Sequence, residues 1–312
     1  MGLRQGTRGD HLSAMTFAEA FAAYEAVRAR LPLPVPAICA PRLSQNLGDL
    51  AQEYDAFLLD AFGVLNIGET AIPGVAERIA DLRALGKRVL VVSNAAGFPH
   101  DRLVEKYARL GYDFDTDDIV TSRKALARQV DGGDGRTWGL MISDGVEAAE
   151  FESLPHVRLG DEPSAYEAAD GILMIGSATW TEARQALLEA ALTKRQRPVY
   201  VGNPDIVAPR EIGFSTEPGQ FAHRLADRTG VAPIFCGKPF PMIFDLAFER
   251  LPDIGRDRIL MVGDSLHTDI LGAQAAGIAS ALVTGHGFFA GQDIAAAIDR
   301  SGICPDHLIE AP

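Results

Sequence analysis

Three short apolar runs in this 312-residue chain each break off into residues that can do chemistry. Leu58-Leu59 leads into Asp60, Val91-Val92 into Ser93-Asn94, and Met261-Val262-Gly263 into Asp264. A fourth candidate, Lys238, stands between Gly237 and Pro239. A carboxylate can act as a nucleophile, and two together can ligate a hard divalent cation through oxygen. A hydroxyl and an ammonium can hold anionic oxygens. Asp and Ser at strand ends also cap the following helix. Capping accounts for any one of these sites, but poorly for three together with a flanked lysine.

The elements that must position these residues follow from the hydropathy pattern. Ala56 to Leu59, Val89 to Val92, Ile119-Val120, Ile259 to Val262 and Ala281 to Val283 are continuous apolar runs. Such runs mark strands buried on both faces, hence a parallel sheet covered by helices. Gly74 to Gly86 reads as a helix ending at a glycine. Open α/β sheets bind ligands at the carboxyl ends of their strands, which is where Asp60, Ser93, Asn94 and Asp264 fall. A second series follows the loop Asp131-Gly132-Gly133-Asp134-Gly135: Gly139 to Ser143, Ile172 to Ile175, a helix near Glu182 to Thr193, and Val199 to Val201. The expected fold is α/β, a Rossmann-like doubly wound parallel-sheet core over residues 15–131 and 233–312. An α/β domain is expected as an insertion over 132–232. Phe17, Phe21, Tyr24, Val27 and Leu31 predict a helix at spacings of three and four, ended by Pro32, Pro34 and Pro36. Residues 1–14 lack such a pattern and read as a disordered arm, unless Met15 is the true start.

Composition narrows the function. With 47% hydrophobic and 23% charged residues the chain is an ordinary globular one. Its net charge of −13 disfavours nucleic acid and anionic membranes as partners. No apolar stretch approaches the roughly 18 residues of a membrane span, and the first residues lack a signal peptide's apolar middle. Cys39, Cys236 and Cys304 form no C-x-x-C, which argues against a disulfide framework or a cysteine zinc site and predicts a reducing, cytoplasmic setting. Cys236 is expected to be buried and inert, Trp138 and Trp180 to lie in the core of the inserted domain, and His267 to face solvent.

Taken in order, Asp60-Ala61-Phe62-Gly63-Val64-Leu65, Ser93-Asn94, Gly237-Lys238-Pro239 and Gly263-Asp264-Ser265-Leu266-His267-Thr268-Asp269 resemble the four motifs of the haloacid dehalogenase (HAD) superfamily. The resemblance spans about residues 50 to 290. The 33 residues from Asp60 to Ser93 leave no room for a cap domain, whereas the 145 from Ser93 to Lys238 hold one. This resembles the C2-capped subclass IIA of NagD and 4-nitrophenylphosphatases, whose Asn-Pro-Asp element is matched by Asn203-Pro204-Asp205. The resemblance implies a Mg²⁺-dependent phosphatase of a small phosphorylated metabolite, with a cap-mediated homodimer as an option.

On this reading Asp60 attacks phosphorus and forms an aspartyl-phosphate. Asp60, the Phe62 carbonyl and Asp264 hold Mg²⁺. Ser93 and Asn94, with Asn203 and Asp205 from the cap, contact the substrate, and Asp269 orients Lys238. Lys238 adds charge whose loss typically costs on the order of 3 kcal/mol of transition-state stabilisation. One position departs from the pattern. Phosphatases of this superfamily usually carry a second Asp two residues after the nucleophile to protonate the leaving group, and here that residue is Phe62. Positioned acid–base catalysis is worth roughly 10²- to 10⁴-fold. A cap carboxylate such as Asp205, the substrate itself or a good leaving group must make up the loss. Two other readings stay open: a hydrolase of a halide or C–P bond, and a catalytically weakened phosphate-binding or regulatory protein.

Leaving-group dependence separates these cases. Without a replacement acid, aryl and acyl phosphates turn over much faster than alkyl phosphates, and Phe62→Asp flattens the difference. Equal turnover of both, with chemistry rate-limiting, requires a replacement acid, and Asp205 is the first residue to substitute. Steady-state kinetics on an ester series decides.

Overall fold

The computed structural model describes residues 12–13, 15–35, 39–130, 135–209 and 213–312. Seven parallel strands form the first sheet, in the order Arg42–Ser44, His307–Ile309, Ala279–Val283, Ile259–Gly263, Ala56–Leu59, Arg88–Ser93, Ile119–Thr121. Its central strands are buried on both faces, as their unbroken apolar runs predict. Phe57, Leu59, Val89, Val91, Leu260 and Val262 point into one core. The alternate residues Ala56, Leu58, Leu90, Val92, Ile259 and Met261 point into another. Five of the seven strands are the expected ones. The two added at one edge, Arg42–Ser44 and His307–Ile309, are three residues long and carry Arg42 and His307, too short and polar to show in the hydropathy pattern.

Five more parallel strands make a second sheet, in the order Ile234–Phe235, Val199–Val201, Gly171–Met174, Trp138–Met141, His156–Arg158. Ile234–Phe235 pairs with Tyr200–Val201, so this sheet runs past the expected boundary at 232. Trp138 and Trp180 are buried, as expected. A hairpin of Val207–Pro209 and Phe214–Thr216 projects from this part of the chain, and Leu12–Ser13 adds to it as a third, antiparallel strand. That pairing replaces the expected disorder at these two residues; residues 1–11 and 14 of the expected arm lie outside the described ones.

The expected helix from Phe17 starts at a Thr16–Glu19 capping box but stops at Ala26, where Arg28–Arg30 tighten into a 3₁₀ turn. Cys236 is a free, buried thiol pushed up to about 12 by burial, which fits the inert role. The expectation about the other two cysteines is overturned, because Cys39 and Cys304 form a disulfide with their Cα atoms 5.5 Å apart. The register explains it. Arg42 pairs with His307, and each cysteine stands three residues before its strand. A separation of 265 residues hid this from the sequence.

At the amino ends of the three central strands, one carboxylate ties the sheet together. Asp55 accepts from Lys87 Nζ at 2.9 Å and from Arg258 Nε at 2.8 Å and Nη2 at 3.1 Å. Its backbone bonds to Arg258 and Arg88 on either side. Arg258 and then Lys87 hold its carboxyl well below the usual carboxylate range. A carboxyl depressed on folding contributes stability above its unfolded value of about 3.9, and loses it as the pH falls below that. The groups are partly exposed, so solvent screening keeps the contribution near 1 kcal/mol. Asp55→Asn should therefore lower stability by about 1 kcal/mol at pH 7, and urea titrations should show the gap to the parent closing below about pH 3.

Candidate active site

Parallel register delivers the reactive side chains to one edge. Leu59 pairs with Val262 on one side and Val91 on the other, and Asp60 N donates to Val262 O at 2.9 Å. Asp60, Ser93 and Asp264 therefore emerge side by side as the strands end. Lys238 reaches the same point from the segment between the second sheet and the Pro241–Phe248 helix. Its Nζ lies 2.6 Å from Asp60 Oδ1 and 2.7 Å from Asp269 Oδ1. Asp264 Oδ2 accepts from Phe288 N at 2.8 Å, and Asp269 Oδ2 from Ser265 N at 3.1 Å. The backbone closes tightly around Asp264. Gly63 and Gly287 both have positive φ, and a Cβ on either would come within 2.4 Å or less of Asp264 Oδ2.

Oxygens of Asp60, Asp264 and Asp269 lie within 4.8 Å of one another. Three buried carboxylates face one ammonium, leaving an excess of two negative charges. Burial, joined by the charge of Asp269, pushes the Asp60 carboxyl up to about 6 against the pull of Lys238. Burial, then Asp269 and Asp60, raises Asp264 well above the carboxylate range. Burial alone would pull Lys238 down, but Asp269 and Asp60 outweigh it and hold the ammonium above its ordinary range. Hard oxygen donors with two uncompensated charges fit a divalent cation.

Asn94 braces this centre. Its Oδ1 accepts from Lys238 N at 2.7 Å, while Nδ2 donates to Lys238 O at 3.0 Å and to Asp205 Oδ1 at 2.8 Å. Asn203 Oδ1 accepts from Asp205 N at 2.9 Å, and its Nδ2 donates to Glu217 Oε2 at 3.0 Å, so the asparagine shapes the loop that carries Asp205. Burial pushes the Asp205 carboxyl well above the carboxylate range. A cavity of about 80 Å³ is lined by Asp60, Phe62, Ser93, Asn94, Asn203, Asp205, Lys238 and Asp264. Of the expected site residues only Asp269 is absent from its wall, because it sits behind Lys238. A larger depression of about 570 Å³, beside Arg30, Pro233 and Met242, holds none of them.

Several groups around the cavity, among them Tyr24, Glu217 and Phe288, carry no local signal of a site in the sequence. Tyr24 OH accepts from Ile206 N at 3.2 Å, bringing the Phe17–Ala26 helix onto the Asp205 loop. Beside it His267, expected in solvent, is fully buried. Its ring stacks on Tyr24 with centroids 5.0 Å apart, and its Nε2 bonds Glu25 Oε1 at 2.5 Å. The partners that cover His267 lie some 240 residues away, so no local pattern announces them.

A haloacid dehalogenase-like hydrolase family model matches residues 57–152, and a second HAD-hydrolase-like model matches residues 235–311. The D-glycerol 3-phosphate phosphatase of Mycobacterium tuberculosis is 32% identical over 241 residues, covering 75% of this chain. This chain spans only 64% of that relative's length. Among solved structures, the 4-nitrophenylphosphatase of Thermotoga maritima aligns over 84% of this chain and 96% of its own, with a TM-score of 0.69 and 26% identity. Glycerol phosphate phosphatase of M. tuberculosis in complex with magnesium aligns over 76% and 69%, with a TM-score of 0.63 and 26% identity. Fold and site together define a parallel-sheet hydrolase with a carboxylate–lysine centre. The chain belongs to the haloacid dehalogenase-like hydrolases and, within them, to subclass IIA with NagD and the 4-nitrophenylphosphatases.

Removing the ammonium leaves Asp60 and Asp269 buried without a counter-charge. Lys238→Met should lower stability by about 3–5 kcal/mol in chelator-treated protein. Millimolar divalent cation should recover part of that loss, read as a larger rise in thermal midpoint than the parent shows.

Proposed function

We propose that this chain is a Mg²⁺-dependent phosphohydrolase of a small phosphorylated metabolite, working through an aspartyl-phosphate on Asp60. The first sheet serves as the core, and the second sheet, which runs past residue 232 to Phe235, as the cap. The observation that carries this reading is the Asp60–Lys238–Asp269 array opening, beside Asp264, onto a cavity of about 80 Å³. A volume well below the roughly 300–1,000 Å³ of drug-sized sites favours a small substrate. The relative named a D-glycerol 3-phosphate phosphatase supports the same substrate class, and the magnesium complex of the glycerol phosphate phosphatase supports the metal.

Asp60, the Phe62 carbonyl and Asp264 would hold the ion, which when bound screens carboxylate from phosphate and polarises phosphoryl oxygens. The chain's own groups do the rest. Lys238 neutralises charge on the phosphoryl group and fixes the Asp60 carboxylate for in-line attack, with Asp269 anchoring the ammonium from behind. Ser93, in contact with the Tyr107 hydroxyl, presents its own hydroxyl to a phosphoryl oxygen. Asn94 is spent on Lys238 and Asp205, so it aligns the two sides of the site instead of binding phosphate. Attack breaks the bond from phosphorus to the leaving oxygen. Water then cleaves the aspartyl-phosphate and frees phosphate and Asp60.

With millimolar Mg²⁺ the protein should hydrolyse 4-nitrophenyl phosphate and glycerol 3-phosphate. EDTA should abolish turnover, and Asp60→Asn should lower kcat by at least about 10³-fold. Undiminished turnover in Asp60→Asn would exclude the covalent route.

A further inference from the structure

Departure of an alkoxide needs a proton, and the structure narrows its source. Phe62 carries none, and its ring lies 5.3 Å from Lys106 Nζ. Among the described residues, six titratable groups line the cavity: Tyr24, Asp60, Asp205, Glu217, Lys238 and Asp264. Asp60 is the nucleophile of the proposed reaction, and Asp264 is turned toward Phe288 N on the metal side. Lys238 is pinned between two carboxylates. Both oxygens of Glu217 accept, from Asn203 Nδ2 and Ser215 Oγ. Burial holds the Tyr24 phenol far too high to release its proton near neutral pH.

Asp205 is left, and its surroundings suit it. Asn94 Nδ2 fixes Oδ1 at 2.8 Å, while among the described residues no hydrogen bond reaches Oδ2. Burial, reinforced by Asp60 and Glu217 and only partly opposed by Asn94 and Lys238, keeps this carboxyl protonated where an exposed one would be ionised. The Asn94 brace ties the carboxyl to the peptide of Lys238, whose ammonium in turn contacts Asp60.

We infer that Asp205 is the catalytic acid, a reading that rests on the proposed phosphohydrolase function. As the Asp60–phosphorus bond forms and the bond to the leaving oxygen breaks, the Asp205 proton moves to that oxygen and the alcohol departs. The Asp205 carboxylate then takes a proton from the water that attacks the aspartyl-phosphate. The Asp60–phosphorus bond breaks, phosphate leaves, and Asp205 is protonated again.

The test compares kcat/KM for 4-nitrophenyl phosphate, whose leaving group needs no proton, with that for glycerol 3-phosphate, both with Mg²⁺. In Asp205→Asn, which keeps an acceptor for Asn94, the aryl-to-alkyl ratio should rise by about 10²- to 10⁴-fold over the parent. Adding Phe62→Asp to that variant should restore alkyl turnover at least tenfold. Asp205→Glu, which keeps a carboxyl, should hold the ratio within about tenfold of the parent and stands in if Asp205→Asn does not fold. An equal fall for both esters, or an unchanged ratio, would overturn the assignment to Asp205 while leaving the phosphohydrolase reading intact. A parent that hydrolyses neither ester would overturn that reading, and this inference with it.

Discussion

Holding a buried ammonium between two buried carboxylates is the constraint around which this molecule is organised. Lys238 Nζ sits within 2.7 Å of both Asp60 and Asp269, with a third carboxylate, Asp264, alongside. Ions taken out of water are tolerated only when geometry and hydrogen bonding compensate them closely. The neighbouring structure meets that demand. Parallel register sets Asp60 and Asp264 on adjacent strand ends, and Gly63 and Gly287 let the backbone close on Asp264 where side chains would collide. The amides of Phe288 and Ser265 satisfy the outer oxygens, and Asn94 grips the lysine peptide from both sides. The arrangement still carries more negative than positive charge, and that imbalance distinguishes it from a self-compensated ion pair.

Much of this was legible in the sequence because the central strands announce themselves. A run buried on both faces must be apolar at every position, so the first polar residue after it marks the strand end; Asp60 and Asp264 were found in this way. The same logic failed at the sheet's edge, where Arg42–Ser44 and His307–Ile309 need only one apolar face and are short. It failed again for His267, whose burial depends on Tyr24 and Glu25 from a helix far away in the chain. The disulfide was invisible for the same reason, since only the pairing of two unrecognised strands brings Cys39 to Cys304. Local pattern reports what an element buries, but not which distant element comes to bury it.

Position 62 beside Asp60 is an aromatic, and a further buried carboxyl on the cavity, Asp205, comes from the other part of the chain. The Asn203–Asp205 loop belongs to the second series of elements, yet its carboxyl is held by Asn94 from the end of a first-sheet strand. In such an arrangement both parts of the chain contribute side chains to one cavity.

The helix at Phe17–Ala26 and the strand at Leu12–Ser13 give that shared arrangement an unexpected dependence. One presses Tyr24 against Ile206, and the other extends the hairpin of Val207–Pro209 and Phe214–Thr216. These two elements are thus laid over the Asp205 loop and its hairpin like a strap. A fusion partner joined there, or a protease acting there, would work next to the cavity that Tyr24 lines. The Phe17–Ala26 helix is, in engineering terms, part of the mounting of that cavity's wall.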